Sequence, residues 1–153
     1  MNSRFAVSVH ILTVLASRTG QLLTSEAIAE QVNTNPAVVR RLVGVLQKAG
    51  LVGSKLGPGG GLNLAREAAG ISLNCVYAAV KEDGTNLLVP ERVVSSPSCD
   101  FARDIMGSLE GTCQKAEQAL LAELRQTTIA DVLAQAQSRL PERNLELQTT
   151  RHL

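Results

Sequence analysis

The sequence predicts a mostly α-helical fold in two parts: a front set of helices closed by a two-stranded hairpin, and one long helix behind it. Three observations predict this. Apolar residues recur at helical spacing along most of the chain. The stretch Gly57-Pro58-Gly59-Gly60-Gly61 separates two short strand-like segments. A connection holding Gly84, Pro90 and Pro97 parts the front half from the longest periodic segment. With 153 residues, 44% of them apolar, the chain can bury a core and is too apolar to be disordered.

Taken in order, residues 3–18 read as a helix. Phe5, Val7, Val9, Ile11, Leu12, Val14 and Leu15 lie nearly all round it, so it is expected to be buried, and Gly20 stops it. Thr24 or Ser25 opens a short second helix, which Ser25 can cap, with Ile28, Ala29 and Val32 as its apolar stripe. Asn33-Thr34-Asn35-Pro36 is a turn followed by a helix start. Asn35 takes the N-cap and Pro36 the first helical position, where its missing N–H costs nothing. Val39, Leu42, Val43, Leu46 and Ala49 form the inner face of this third helix, and Gly50 ends it.

Residues 51–56 and 62–66 are the hairpin strands. Ser72 caps a fourth helix carrying Leu73, Val76, Tyr77 and Val80. The longest helix runs over roughly 99–126. Its apolar seam is Phe101, Ile105, Leu109, Cys113, Ala116, Leu120 and Leu124, a narrow stripe along one side. Gly107 and Gly111 each weaken this helix by ~1 kcal/mol unless backbones approach closely there. Thr128 and Asp131 make a capping box for a last helix using Ile129, Val132, Leu133, Ala136 and Leu140, ended by Pro141. The expected organisation is a front domain over 1–83, a linker over 84–98, a helical dimerisation region over 99–141 and a polar tail over 142–153.

The net charge of +1 hides an asymmetry. Residues 1–66 carry seven Lys or Arg against two acids, and residues 67–153 carry eight against twelve. A basic front on an acidic back points to a polyanion that meets the front only. Phe5, Tyr77 and Phe101 are all the aromatics, too few for the stacking platforms of a single-strand reader. No apolar run approaches the ~20 residues of a membrane span, so no membrane partner is expected. Three cysteines without a repeating spacing make no disulfide scaffold, and the expected compartment is a reducing cytoplasm. The glycine-rich loop lacks the Gly-Lys-Ser/Thr ending of a nucleotide loop. With two histidines and no nucleophile–base pair, no enzyme is expected.

Three helices followed by a hairpin within 66 residues is the order of a winged helix-turn-helix. A helix in the major groove reads bases with its N-terminal residues and grips phosphate with nearby arginines. The candidate contacts to double-stranded DNA are Thr34, Asn35, Ala37, Val38, Arg40 and Arg41 at the start of the third helix. Lys55, Gly59 and Gly60 of the wing join them, with Ser25 at the head of the second helix as a phosphate site. The alternative is a winged helix that binds protein rather than DNA, which the Arg40-Arg41 pair disfavours.

Residues 50–65, Gly-Leu-Val-Gly-Ser-Lys-Leu-Gly-Pro-Gly-Gly-Gly-Leu-Asn-Leu-Ala, resemble the wing signature of the Rrf2 family of transcriptional regulators, the IscR, NsrR and CymR type. Ser25-Glu26-x-Ile28-Ala29 and Ile71-Ser72-Leu73-x-x-Val76 resemble that family too. Asn2-Ser3-Arg4, Val32-Asn33-Thr34-Asn35-Pro36 and Thr128-Ile129-x-Asp131-Val132 are nearest to its YwnA-like members. The resemblance covers nearly the whole chain. It implies a homodimer, most simply a repressor, with the long helix against its mate, the first helix reaching the partner, and recognition helices about 34 Å apart on a palindrome. There are departures: the family commonly has Arg just before the wing glycines where this chain has Leu56 beside Lys55, and some members place Glu where it has Arg40.

Cluster-binding members carry three close-set cysteines before the long helix, but here only Cys99 lies there. Cys75 and Cys113 stand 24 and 14 residues away, which matches no metal-ligand spacing. No cofactor or metal is therefore expected, an atypical iron–sulfur cluster drawing on His10 being the less favoured reading. Cys99, at a helix N-terminus that favours thiolate, is the redox candidate. Cys113 shares its helical face but stands ~21 Å further along, out of disulfide reach while the helix is intact. The signal is expected to be oxidation or a small-molecule effector.

Overall fold

The computed structural model describes residues 3–81 and 100–139. The linker expected over 84–98, Cys99, Leu140, Pro141 and the tail over 142–153 lie outside them. The elements are α1 (Ser3–Ser17), α2 (Ser25–Val32), α3 (Pro36–Lys48), β1 (Val52–Lys55), β2 (Gly61–Leu64), a 3-10 turn (Ala68–Gly70), α4 (Leu73–Val80), α5 (Asp100–Gln126) and α6 (Ile129–Ser138). The expected helices and strands are all present, within one or two residues at most ends, and among the described residues the 3-10 turn is the one addition.

The core collects the apolar stripes read from the sequence. Ile11, Leu12 and Leu15 of α1 meet Ile28 and Ala29 of α2, Val39, Leu42, Val43 and Leu46 of α3, and Val76 and Val80 of α4. α1 touches α2, α3, α4, α6 and β2, so it is the central element, as its nearly all-round apolar surface requires. His10 falls on its outer side and is exposed. Phe5 meets Tyr77 edge to face, with centroids 6.0 Å apart.

β1 and β2 pair antiparallel, Val52 opposite Leu64 and Lys55 opposite Gly61. Leu23 adds one more rung: its N–H donates to the Leu62 carbonyl at 3.0 Å, and the Leu62 N–H donates back at 2.8 Å. That rung ties the root of the wing to the start of α2. A second lone bridge joins Ser72 to Thr128. The Leu73 N–H donates to the Thr127 carbonyl and the Ile129 N–H to the Ile71 carbonyl, which fixes the junction of α5 and α6 beside the start of α4. The capping box expected at Thr128 and Asp131 is formed.

Candidate nucleic-acid interface

The turn between α2 and α3 is set by local chemistry. Thr24 caps α2, its hydroxyl accepting from the Ala27 N–H at 3.2 Å. Ser25 is thus the first helical residue rather than the cap: both hydroxyls could serve by sequence, but only the extended residue just outside the helix can. α2 ends at Asn33 in the left-handed region, φ 54°, which asparagine tolerates. Two residues later the Asn35 side-chain oxygen accepts from the Ala37 N–H at 2.8 Å, with Pro36 in the first turn, as expected.

This places the candidate residues as follows. Val39, Leu42, Val43 and Leu46 turn inward, while Asn35, Ala37, Arg40 and Arg41 are exposed. Thr34 is half-buried. Val38, expected on the outer face, instead packs half-buried against the core beside Val39. An apolar stripe wider than ~100° takes in the residue next to its edge, and valine gains from the cover. At the other end of α3, Arg66 donates from Nε to the Gly50 carbonyl at 3.1 Å and from Nη2 to the Ala49 carbonyl at 3.4 Å. It meets the helix's terminal carbonyls and thus steadies α3 against the wing.

In the wing, Lys55 and Gly59 are exposed and Gly60 is half-buried. The Gly60 N–H donates to the Gly57 carbonyl at 2.9 Å. A Cβ on Gly60 would run into the Lys55 carbonyl oxygen and lie 2.8 Å from that of Gly57, so the turn has room for glycine alone. Ser25 is half-buried at the head of α2.

Sequence reasoning passed over one functional neighbour. The Glu26 carboxylate accepts a hydrogen bond from Arg40 Nη2, and both side chains are about 60% exposed. A bond to its own backbone N–H, then the guanidinium, hold the Glu26 carboxyl below the usual range. The two are fourteen positions apart in the chain, so it is the crossing of α2 and α3 that brings them together.

On α5, Phe101, Ile105, Leu109, Ala116 and Leu120 are exposed, while Cys113 and Leu124 are half-buried. Among the described residues nothing beyond the glycine's own stretch of helix lies within 4 Å of where a Cβ on Gly107 or Gly111 would stand. Cys75 sits inside α4, its sulfur accepting from the Ser72 hydroxyl at 3.3 Å.

A capped helix-turn-helix whose second helix is exposed along its N-terminal half, followed by a two-stranded wing, defines a winged helix-turn-helix protein. The comparisons narrow the class. Residues 1–135 match the family described as Rrf2, iron-dependent transcriptional regulator. YwnA of Bacillus subtilis, named as a candidate HTH-type transcriptional regulator, is 36% identical over 133 residues, 87% of this chain and 96% of that protein. A crystal structure of a candidate DNA-binding protein is 34% identical with a TM-score of 0.67, covering 85% of this chain and 98% of the other. IscR of T. potens shares the fold, with a TM-score of 0.69 at 22% identity over 92% and 90% of the two chains. The chain belongs to the Rrf2 family of transcriptional regulators.

That family is described as iron-dependent, and iron needs several thiolate, imidazole or carboxylate donors gathered together. Among the described residues no three His, Cys, Asp or Glu side chains gather as a metal ion requires. Cys75 and Cys113 are the cysteines present there, on different helices. The described residues do not make up an iron site.

Proposed function

We propose that the protein is a homodimeric, sequence-specific DNA-binding repressor of the cytoplasm, released by a thiol or small-molecule signal. The observation that carries the DNA reading is α3. Its inner residues are buried, and its start presents Asn35, Ala37, Arg40 and Arg41 outward beside a wing bearing Lys55. Side chains reach base edges from the first turns of such a helix, and the cations hold phosphate. No helix among the described residues is long and apolar enough to cross a membrane. The exposed apolar residues of α5 favour a second copy of the chain as cover.

The signal has two supports. Cys99 directly precedes α5, where a helix N-terminus favours thiolate. A cleft of about 450 Å3 lies between the end of α1 and the root of the wing, lined among others by Leu15, Arg18, Gln21, Asn63 and Arg66, and it could take a small effector.

The test is fluorescence anisotropy of the chain on its own upstream DNA, across a salt series, with and without oxidant. Tight, salt-steep binding is expected, with Arg41→Ala weakening it about evenly on all sequences and leaving the thermal midpoint unchanged. Loss of binding on oxidation that vanishes in Cys99→Ser would assign the switch to that thiol. Indifference to oxidant would leave the effector cleft as the sensor. No binding in any state, with DNA selected from a random pool also tried, would favour a protein-binding winged helix.

A further inference from the structure

We propose that Glu26 is a specificity-determining residue: by holding the Arg40 guanidinium it turns Arg40 from a phosphate contact into a base reader. The inference rests on the DNA-binding reading above.

The geometry is a short frame. Arg40 is the fifth residue of α3, one turn past the Asn35 cap, and Glu26 is the second residue of α2. Ile28 and Ala29 below Glu26 pack in the same buried cluster as Val39, Leu42 and Val43 around Arg40, so both ends of the pair stand on a fixed base. The pair itself is open to solvent. An exposed ion pair adds little to stability, so its consequence lies in what it does to the guanidinium. A guanidinium has five N–H donors, and the Glu26 carboxylate occupies one of its nitrogens. The remaining donors can still meet the O6 and N7 acceptors of a guanine.

Two effects follow from the carboxylate. It adds a negative charge where phosphates would approach, which weakens binding to any sequence alike. It also biases the side chain toward one arrangement, so less freedom is lost when a base is read. Arg41, the next residue, is exposed and forms no ion pair among the described residues. The two arginines thus divide the work: Arg41 supplies affinity, and Arg40, held by Glu26, supplies discrimination.

The experiment selects binders from a random double-stranded DNA pool with the full-length wild type, Glu26→Gln, Arg40→Ala and Arg41→Ala. Anisotropy then follows on the selected site and on a scrambled duplex. The wild type is expected to enrich a motif with a guanine in each half-site. Arg40→Ala should lose the preference at that position, and Glu26→Gln should lose it at the same position, by about tenfold. Glu26→Gln should also bind the scrambled duplex more tightly, with a salt slope steeper by about one. Its thermal midpoint should match the wild type, which separates this role from a structural one. An unchanged motif in Glu26→Gln, or a change at a position other than the one Arg40→Ala affects, would overturn the proposal. Failure of the wild type to enrich any motif would sink the DNA reading beneath it, a result distinct from either.

Discussion

Leu56 is 92% exposed at the tip of the wing, between Lys55 and Gly57, at the place where the family commonly has an arginine. A leucine there offers no charge to the narrow minor groove of an A-tract, where arginine is drawn by the concentrated negative potential. Leu56→Arg is therefore expected to tighten binding to sites with A-tract flanks, to leave sites with G·C flanks less affected, and to steepen the salt dependence by about one phosphate. Anisotropy on paired duplexes differing only in the flanks measures it, and equal gains on both would mean the new charge meets phosphate rather than the groove. At this scale the sequence was legible where the chemistry is local. Asn35-Pro36 is a cap and first turn whatever surrounds it. The choice between Thr24 and Ser25 was not legible, because two adjacent hydroxyls carry the same signal. The Glu26–Arg40 pair was hidden by the separation of its ends, fourteen positions apart in the chain.

The helices were read from their apolar period, but the joints between elements are single interactions with no run to announce them. Leu23 with Leu62 and Ser72 with Thr128 are lone bridges. α4 and α5, which also pack side by side, share one ion pair among the described residues, in which Lys81 Nζ donates to Glu117 Oε1 at 2.7 Å. That bond raises the Lys81 pKa above its ordinary value. A lysine whose folded pKa is raised stabilises fully below its unfolded value, about 10.4, and loses the contribution as the pH climbs through the folded one. Lys81→Met should therefore be less stable than the wild type at neutral pH by about 0.5–1 kcal/mol. The gap should close in strongly alkaline solution. Burial pushes the Tyr77 phenol up while the Lys81 charge draws it down, so its titration shifts when the lysine is removed and the comparison is made with Tyr77→Phe in both proteins. Urea unfolding at a series of pH values checks it, and a gap that stays constant with pH would assign the loss to packing rather than to charge.

At the scale of the whole molecule, the described residues cover α5 along one side. α4 lies against it along the side of Lys81 and Glu117, where Cys113, Leu121 and Leu124 are half-buried. The other side presents Phe101, 74% exposed, with Ile105, Leu109, Ala116 and Leu120. The seam was legible as a period, but which of its members would be covered was not: Cys113 and Leu124, the two nearest the Glu117 side of the helix, are half-buried, and the rest are exposed. Several large apolar side chains on one helix face are costly in water, and a two-fold partner presenting the same face covers both at once. Such a pairing would also carry two recognition helices, so that one operator with two half-sites is gripped twice and the second contact gains from the first. Leu109→Glu puts a charge into the middle of that face while lying outside the buried cluster of α1–α4. It should give a monomer in sedimentation velocity with the helical circular dichroism of the wild type, and a large loss of affinity for a two-half-site duplex. Affinity for a single half-site should change little, because α3 and the wing are untouched. A dimer that survives Leu109→Glu would place the partner elsewhere and leave the apolar face of α5 to another occupant.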